Sequence, residues 1–407
     1  MPKSINIHCE SQLKEIRSQG LYRQQRTVET AQSALIRMDG SVVHNFSSND
    51  YLGLANDPLM KDCLRKAVES YGVGSGASPL ISGALQPLHD LQRDIAVLKG
   101  TESALVFSTG YATATGTLSA LFGRNDILIL DKLSHACLVD GAKMSQAKLR
   151  ICRHNDVKDL EKLLQWASGE MSRRAENERG HICVVLESVY SMDGDLAPLE
   201  ACVRLKEQYG AWLMVDEAHA TGVLGQRGEG LVGSLGLSER VEIQMGTLGK
   251  ALGCSGGFIA GSKPLIDLLI NKARSLIFST APSPSILATA RNGIEIGRSA
   301  EGETRRKCLF GLVDAFWDEV PPAWRDHIGQ GSKPVTPIIP WHVGDAVVAV
   351  RLSDELKGEG YFVPAIRFPT VSRNSARLRI TLTASHTVES VRHLARVVVK
   401  CHGKLKQ

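Results

Sequence analysis

Seven short apolar runs follow one another between residues 103 and 261, separated mostly by stretches long enough for a helix. The runs are SALVFSTG (103–110), DILILDKLSH (126–135), AKLRICRHND (147–156), HICVVLESVYS (181–191), AWLMVDEAHATG (211–222), VEIQMGTLGK (241–250) and GGFIAG (256–261). Short continuous apolar runs are typical of strands buried on both faces, and their alternation with helical stretches favours βαβ units. The pattern predicts an α/β fold with a large, mostly parallel seven-stranded sheet covered on both faces.

Polar residues stand at the carboxyl ends of these runs. They are Thr109, Gly110, Asp131, His135, Ser191, Asp193, Asp216, His219, Thr247 and Lys250. In open parallel sheets, ligands bind in the crevice beyond the carboxyl ends of the strands. We therefore expect these residues to lie around one ligand site.

The pattern changes after about residue 290. Three strand-like pieces, at 333–344, 359–369 and 375–386, are then separated and followed by helical stretches. This order indicates a smaller α+β unit. We predict three parts: a charged amphipathic arm (1–45), a large α/β domain (46–290) and a small C-terminal α+β domain (291–407).

Composition narrows the class of protein. The chain has 407 residues, 43% of them hydrophobic, and its net charge of +5 comes from 48 basic and 43 acidic residues without a basic run, which argues against nucleic-acid binding. The nine cysteines occur without a C-x-x-C pair, as expected in a reducing compartment. No apolar stretch approaches the length of a membrane span and the N-terminus lacks an apolar signal core, so we expect a cytoplasmic protein without a membrane segment.

The stretch GTLGKALGCSGG (246–257) places Lys250 among five glycines. A glycine cluster marks a tight turn or a backbone that a ligand approaches closely, although a flexible surface loop has the same composition. A lysine in a desolvated site has a lowered pKa and becomes a nucleophile towards carbonyl groups. Lys250 is therefore a candidate for covalent chemistry.

Asp216 ends the apolar run AWLMVD, and Lys250 follows the next run along the chain. A carboxylate at a buried strand end needs a cationic partner, unless it only caps the next helix. A buried aspartate that faces a reactive lysine suits pyridoxal 5'-phosphate (PLP), whose ring nitrogen must stay protonated to withdraw electrons. The pair predicts a PLP site.

The phosphate of such a cofactor needs backbone N–H groups at a helix N-terminus. Gly110 and Tyr111, directly after the first run, offer them, although a strand-end Thr-Gly is also a common turn. His135, after the second run, is placed to cover the cofactor ring, although a histidine there can equally cap a helix.

Nine motifs in register connect these residues to a known family. They are SNDYLGLA, GSGASPLISG, STGYATATG, DKLSHACLVDG, ESVYSMDGDLAPL, VDEAHATGVLG, GTLGKALGCSGG, FSTAPSP and ARLRITLTASH. Together they resemble the α-oxoamine synthases over residues 40–390. The resemblance implies a fold-type I PLP transferase that condenses an amino acid with an acyl thioester and releases CO2.

The resemblance also implies a role for individual residues. Lys250 would bind PLP and then remove the Cα proton, Asp216 would pair with the ring nitrogen, His219 would approach the ring hydroxyl, and His135 would stack on the ring. The implied cofactor contacts are Gly110, Tyr111, His135, Ser191, Asp216, His219, Thr247, Lys250, Ser279 and Thr280. Because FSTAPSP resembles a segment supplied by the neighbouring subunit, Ser279 and Thr280 imply a homodimer with shared sites; a simple turn before Pro282 is the alternative.

Substrate contacts are implied for Arg23, Asn49, Arg367 and Arg379. A guanidinium matches a carboxylate bidentately, so Arg379 is the candidate for gripping the amino acid. Arg377 lies on the same strand face, so one of the two could instead be a surface residue. Arg23 would meet either the distal carboxylate of the acyl chain or the phosphates of its carrier, although an exposed arginine in such an arm is normally only solvated.

The C-terminal stretch PAIRFPTVSRNSARLRITLTASH most resembles the family members that join L-alanine to a pimeloyl thioester. Those members usually have Pro-Pro where this chain has Phe368-Pro369, and Pro-x-Gly where it has Ser372-Arg373-Asn374. Glycine with an acetyl or succinyl donor remains an alternative substrate pair, and the carrier is either coenzyme A or an acyl carrier protein.

Other features of the sequence suggest three alternative classes of protein. A nucleoside triphosphatase is suggested by DEAH (216–219), but Gln244 and Ala251 stand where a P-loop needs glycine and a hydroxyl. The glycines of GVGSGAS follow a helical pattern, whereas a dinucleotide fingerprint follows a strand. An inactive partner subunit is expected to lack the reactive lysine, so the presence of Lys250 favours an active enzyme.

Overall fold

The computed structural model of the protein describes residues 4–19 and 21–405. The helices in these ranges are α1 (Ile5–Ser18), α2 (Pro58–Tyr71), α3 (Gln86–Lys99), α4 (Gly110–Leu121), α5 (Ala136–Ser145), α6 (Val157–Ser172), α7 (Leu199–Gln208), α8 (Leu231–Ser234), α9 (Lys263–Lys272), α10 (Arg274–Ile277), α11 (Pro284–Arg298), α12 (Ala300–Glu319), α13 (Ala346–Gly358) and α14 (Val388–Leu405). None of them has both the length and the apolar character needed to cross a bilayer.

The strands fall into one large and two small sheets. Their bounds are β1 (Leu35–Met38), β2 (Ser41–Asn45), β3 (Ser103–Phe107), β4 (Ile127–Asp131), β5 (Lys148–Cys152), β6 (Ile182–Glu187), β7 (Trp212–Asp216), β8 (Ile243–Thr247), β9 (Gly257–Gly261), β10 (Ile338–Gly344), β11 (Tyr361–Phe362), β12 (Ala365–Ile366) and β13 (Ala376–Thr381). Short helical turns occur at Pro79–Gly83, Glu176–Glu178, Ser238–Arg240, Pro322–His327 and Gly329–Gly331.

The large sheet has seven strands in the order β3-β9-β8-β7-β6-β4-β5. Each of the seven predicted runs contains one of these strands. Strands β4 to β8 are parallel to one another, whereas β9 runs antiparallel to both β3 and β8. The prediction of a large, mostly parallel seven-stranded sheet is confirmed.

Both faces of this sheet are buried, which explains the continuous apolar runs. In β4, Leu128 and Leu130 pack into a cluster with α4, α5 and α9, whereas Ile127 and Ile129 pack into a second cluster with α6 and α7. All four side chains are fully buried. Since successive side chains of a strand point to opposite faces, a strand between two helical layers must be apolar at every position.

Two three-stranded sheets involve the C-terminal part of the chain. One has the order β10-β13-β12 and is antiparallel, and the other has the order β1-β2-β11. In the second sheet, β2 pairs in parallel with β11, so that His44 is opposite Tyr361. Residues 35–45, which the sequence pattern assigned to an N-terminal arm, therefore belong to one sheet with a strand of the C-terminal part. The domain boundaries at residues 45 and 290 stay a prediction. The pairing shows only that the end of the predicted arm contacts the C-terminal part.

A buried ion pair anchors the chain where it leaves β7. Lys99 Nζ lies 2.8 Å from Glu217 Oε2, 2.8 Å from Thr221 Oγ1 and 2.7 Å from the Glu229 carbonyl oxygen. Both charged side chains are completely withdrawn from solvent. Because Glu217 directly follows Asp216, the last residue of β7, the pair holds the backbone of the predicted site in place.

Replacing Lys99 with methionine is expected to lower the free energy of unfolding by about 3–5 kcal/mol, because it leaves the Glu217 carboxylate buried without its partner. Urea denaturation of the two proteins measures the difference. The control is Lys66→Met, which removes an exposed ion pair with Asp62 and should change stability far less. Similar losses in the two variants would contradict the argument.

Candidate active site

The predicted site residues lie at the carboxyl edge of the large sheet. Asp216 at the end of β7 is in register with Glu187 at the end of β6 and with Met245 of β8. Lys250 follows β8 within the glycine-rich turn, and Gly110 begins α4 directly after β3. The structure thus gathers residues from four strand ends at one edge, as expected for a parallel sheet.

Lys250 and Asp216 influence each other's charge without a direct ion pair. Burial lowers the pKa of Lys250, and the charge of Asp216 is the strongest opposing influence. Burial raises the pKa of Asp216, and Lys250 opposes this in turn. The Asp216 Oδ1 atom accepts a hydrogen bond from the Ala218 N–H at 2.9 Å. Among the residues described, no ion pair or hydrogen bond engages the Lys250 amine.

Glu187 was not singled out from the sequence. Its side chain is buried beside Asp216 and accepts a hydrogen bond from the His135 backbone N–H. Burial, together with the negative charge of Asp216, raises the pKa of Glu187 to about 8. Glu187 is therefore mostly protonated near neutral pH. A signal existed in the sequence, since Glu187 ends its apolar run as Asp216 ends the next one.

His135 both caps α5 and borders the site. Its Nδ1 atom accepts a hydrogen bond from the Cys137 N–H at 3.2 Å, so the capping role considered from the sequence is real. The residue is otherwise exposed to solvent. The surrounding protein lowers the pKa of the ring, and the nearby charges of Asp216 and Lys250 act on it in opposite directions. The imidazole is therefore neutral and fixed in orientation beside the lysine.

The N-terminus of α4 forms a cradle for an anion. The Thr109 side chain and carbonyl accept from the N–H groups of Ala112 and Thr113, which leaves the N–H groups of Gly110 and Tyr111 without an intrahelical partner. These donors and the positive end of the helix dipole favour negative charge. The Tyr111 hydroxyl points away and donates to Asp140 at 2.7 Å, so this residue contributes its backbone.

Glycines and Thr247 shape the same cradle. A Cβ atom at Gly257 would come within 3.0 Å of the Gly110 nitrogen, so only glycine allows this approach. Thr247 borders Gly110 and accepts a hydrogen bond from the Gly249 N–H at 3.2 Å. The Thr247 hydroxyl donates to the Gly256 carbonyl at 2.9 Å. The hydroxyl must break this hydrogen bond before it can donate its hydrogen to an anion.

Arg379 joins two other predicted residues. Its side chain is buried, and its guanidinium donates to the Ser191 carbonyl, to Thr381 Oγ1 at 2.9 Å and to Asn49 Oδ1 at 3.1 Å. Arg379 and Asn49 are therefore in direct contact, and their role in binding substrate stays a prediction. Arg377 is also buried and pairs with Asp193, so it is not a surface residue.

His219 has a partner that the sequence did not reveal. Its Nδ1 atom lies 2.6 Å from the hydroxyl of Tyr51, which is fully buried. Burial, with a contribution from the positive charge of Lys250, lowers the pKa of His219 well below its usual range. Tyr51 stands two positions after Asn49 in SSNDYLG, but nothing in that spacing indicates a contact with His219.

Four predicted residues are not brought to this cluster within one chain. Arg23 and Thr280 are exposed, and Arg367 and Ser279 are half-buried. In the ranges that the structure covers, no hydrogen bond or ion pair connects their side chains with the residues around Lys250. Their roles stay predictions.

The loop that carries Ser191 is fastened by a histidine between two carboxylates. His154 Nδ1 lies 3.0 Å from Asp131 Oδ1, and its Nε2 lies 2.8 Å from Asp195 Oδ2. Burial by itself would lower the pKa of His154, but the hydrogen bonds to Asp131 and Asp195 raise it to about 10. The imidazolium thereby ties the loop to the end of β4.

The raised pKa of His154 predicts a pH-dependent stability. Between about pH 6.5 and pH 10, the folded protein holds this proton and the unfolded chain does not, so the free energy of unfolding falls by up to about 1.4 kcal/mol per pH unit. The stabilisation is complete below this window and lost above it. Denaturation of the protein and of His154→Gln across the window isolates this contribution, and parallel curves would contradict it.

Comparisons with known proteins agree with this geometry. The model of the family "Aminotransferase class I and II" matches residues 41–398. The 8-amino-7-oxononanoate synthase of Geobacter sulfurreducens is 44% identical over 375 residues, which cover 92% of this chain and 93% of that protein.

Two solved structures share the fold. A serine palmitoyltransferase variant from S. paucimobilis with a bound PLP–myriocin aldimine has a TM-score of 0.86 and 27% identity, covering 97% of this chain and 98% of that one. The 8-amino-7-oxononanoate synthase of Francisella tularensis has a TM-score of 0.74 and 26% identity, covering 89% and 98%. These likenesses confirm the predicted fold class, that of a fold-type I PLP transferase. The chain belongs to the aminotransferase class I and II family, and within it to the family of the 8-amino-7-oxononanoate synthases.

Proposed function

We propose that the chain catalyses the PLP-dependent, decarboxylative condensation of L-alanine with a pimeloyl thioester. The products are 8-amino-7-oxononanoate, CO2 and the free thiol, as in biotin biosynthesis. The observation that carries the proposal is the lysine–aspartate pair of the site, Lys250 and Asp216, in a chain 44% identical to an 8-amino-7-oxononanoate synthase. All nine cysteines are free thiols, which supports a reducing, cytoplasmic setting.

The residues present fit PLP. The amine of Lys250 has a lowered pKa and no hydrogen-bonding partner among the residues described, as a group that binds an aldehyde requires. The N–H groups of Gly110 and Tyr111 fit a phosphate, with Thr247 beside them. The carboxylate of Asp216 fits a protonated ring nitrogen. When bound, PLP supplies an electron sink that stabilises negative charge at the substrate Cα.

The protein's own groups then position the amino acid and move its proton. Arg379 and Asn49 present a guanidinium and an amide from one pocket, where they bind the substrate carboxylate. Lys250 Nζ, whose pKa is lowered by burial, accepts the Cα proton of the amino acid. His135, neutral and oriented by its cap hydrogen bond, lies beside this lysine and can bond the acyl carbonyl.

The acyl donor and the amino acid decide between members of this family. Nucleophilic attack by Cα forms a C–C bond and breaks the C–S bond of the thioester, and the carboxylate then leaves as CO2. Glycine with acetyl-CoA would instead indicate a 2-amino-3-ketobutyrate ligase, and glycine with succinyl-CoA a 5-aminolevulinate synthase. The carrier of the acyl group, coenzyme A or acyl carrier protein, has to be determined in the same experiment.

The test is a matrix of alanine, glycine and serine against pimeloyl, acetyl and succinyl thioesters, with pimeloyl offered on both carriers. The ketone is identified by mass and the thiol is quantified. We expect alanine with a pimeloyl thioester to give the highest kcat/KM. A better rate for any glycine pair would reject the assignment and move the chain to one of the two alternatives.

We further propose a homodimer in which Ser279 and Thr280 serve the phosphate of the partner's site. Both residues stand in FSTAPSP, directly after Phe278, whose side chain is 70% exposed. Within one chain, among the residues described, the two side chains have no hydrogen bond to Gly110 or Thr247. An isologous interface presents the same surface from both copies, so it can bring this segment to the other site.

The surface around this segment supports a second copy as its partner. Val73 and Ile81 are 78% and 81% exposed, and Ser75, between them in the chain, donates to the Pro282 carbonyl of FSTAPSP at 2.6 Å. Exposed apolar side chains grouped in one place are typical of an interaction surface. The Ala281 N–H donates to the Ala77 carbonyl at 3.0 Å, so Phe278 and Ile81 belong to neighbouring segments. The exposed apolar side chains of Val73, Ile81 and Phe278 therefore lie on segments next to Ser279 and Thr280.

Shared sites predict complementation between two inactive chains. Lys250→Ala chains are refolded together with chains that carry Ser279→Trp and Thr280→Trp, which exclude the phosphate. Roughly a quarter of the activity should return, because half of the dimers are mixed and each holds one intact site. Each variant refolded alone is the control. Sites built within single chains predict no recovery.

A further inference from the structure

The hydroxyl of Tyr51 lies where the two halves of the proposed site meet. It is 2.6 Å from His219 Nδ1, on the cofactor side, and 3.5 Å from a guanidinium nitrogen of Arg379, on the substrate side. It also lies 3.3 Å from Asn49 Oδ1. The whole side chain is buried, so water does not compete for these contacts. One hydroxyl must satisfy all of them.

The chemistry of the neighbours decides which way the proton of this hydroxyl points. A guanidinium only donates, so the Tyr51 oxygen accepts towards Arg379. Asn49 Oδ1 already accepts from Arg379 at 3.1 Å, and its distance to the hydroxyl is long for an O–H donor. The short contact is the one to His219, which leaves Nδ1 as the acceptor of the Tyr51 proton.

The ionisation of both groups agrees with this direction. Burial raises the pKa of Tyr51, so the phenol keeps its proton. Burial lowers the pKa of His219, and the positive charges of Lys250 and Arg379 lower it further, so the ring is neutral. A neutral imidazole has one donor and one acceptor nitrogen. If Nδ1 accepts, Nε2 carries the hydrogen.

We propose that Tyr51 is a positioning residue that holds His219 as the Nε2–H tautomer by donating to its Nδ1 atom, and that it couples this choice to the Arg379–Asn49 pocket. The catalytic consequence rests on the proposed function: Nε2 is then the nitrogen that can donate a hydrogen bond to the bound cofactor. The tautomer itself does not depend on the reaction.

The coupling follows from the shared oxygen. The Arg379 guanidinium lies 3.5 Å from the Tyr51 oxygen, and its positive charge opposes the burial that raises the pKa of Tyr51, while Tyr51 donates to His219 on the other side. When an amino-acid carboxylate binds to Arg379, it changes the charge that the guanidinium presents to the Tyr51 oxygen. The tyrosine thus relays occupancy of the substrate pocket to the histidine on the cofactor side.

The first test uses the cofactor-free protein labelled with 15N-histidine. The ring nitrogen shifts report which nitrogen carries the hydrogen, and the His219→Gln spectrum assigns the signal. We expect the His219 resonances of the unmodified protein to show a bare Nδ1 and a protonated Nε2. In Tyr51→Phe, the two shifts should move towards a mixture of tautomers. A protonated Nδ1 in the unmodified protein overturns the proposal, even if the variant does not fold.

The chain offers a matched control. The hydroxyl of Tyr361 lies 2.5 Å from Nδ1 of His393, in a tyrosine–histidine pair made by the C-terminal part of the chain. Tyr361→Phe removes the same group from the same kind of contact, and it should leave the His219 signals unchanged. Equal shifts of the His219 signals in both variants would mean a general structural change, and this outcome rejects the proposal.

The second test uses the PLP-loaded enzyme. Tyr51→Phe should lower kcat/KM for alanine about tenfold, the loss expected for one hydrogen bond, and shift the pH titration of the cofactor's visible absorbance. Tyr361→Phe should do neither. An unchanged titration in Tyr51→Phe overturns the link to the cofactor. If alanine proves not to be the substrate, the proposed function fails, while the tautomer result still stands or falls by itself.

Discussion

Replacing Lys250 with alanine is expected to remove catalysis and covalent cofactor binding together. In the proposed function this amine joins the aldehyde of PLP and is also the base for the Cα proton, and loss of a general base alone lowers kcat by about 10²–10⁴-fold. Borohydride reduction followed by peptide mass mapping should find the cofactor on Lys250 in the unmodified protein and nowhere in the variant.

The control for this prediction is Lys132→Ala. Lys132 is exposed and lies three positions before His135, so its loss should change neither the trapped adduct nor kcat by more than about twofold. A reduced adduct on any lysine other than Lys250 would falsify the central assignment. Near-normal turnover by Lys250→Ala would do the same.

Replacing Asp216 with asparagine is expected to lower kcat by about 10²–10³-fold, the loss typical of one electrostatic group in a buried site. A neutral amide keeps the shape of the side chain and its acceptor for the Ala218 N–H, but it does not hold a proton on the ring nitrogen of the cofactor. Single-turnover kinetics of Cα deprotonation, followed with deuterated alanine, measure the effect at the step concerned.

The neighbouring Glu187 supplies the matched control. Its pKa of about 8 means that it is mostly protonated at neutral pH, so Glu187→Gln changes no charge there and keeps a carbonyl acceptor for the His135 N–H. We expect a loss of less than about tenfold. If the two amide substitutions are equally damaging, ionisation is not what distinguishes Asp216 from Glu187, and the assigned role is wrong.

The apolar pattern was sufficient to predict the elements of the large sheet. A strand between two helical layers must be apolar at every position, so each strand can be recognised from its own residues, as with Ile127 to Leu130 of β4. The polar residues that end these strands were also predictable as one group, because parallel strands bring their carboxyl ends to one edge. Lys250 and Asp216 belong to this group of strand-end residues.

The order and direction of the strands were not predictable from the same pattern. The antiparallel β9 lies between β3 and β8, which places Gly257, the first residue of β9, against the start of α4. In the small sheets, β2 pairs with β11 although more than 300 residues separate His44 from Tyr361. Apolar periodicity reports that a side chain is buried, but it does not report which distant segment buries it.

The sequence by itself therefore determined the fold class and the edge of the sheet at which the polar strand-end residues, Lys250 and Asp216 among them, come together. These follow from local burial and from the rule of strand ends. Only the tertiary structure decided the partners of each group: Tyr51 beside His219, Glu187 beside Asp216, and Arg377 with Asp193. The physical reason is that hydrogen bonds, proton positions and pKa values depend on distances of a few ångströms between groups far apart in the chain. Spacing along the sequence does not set such distances.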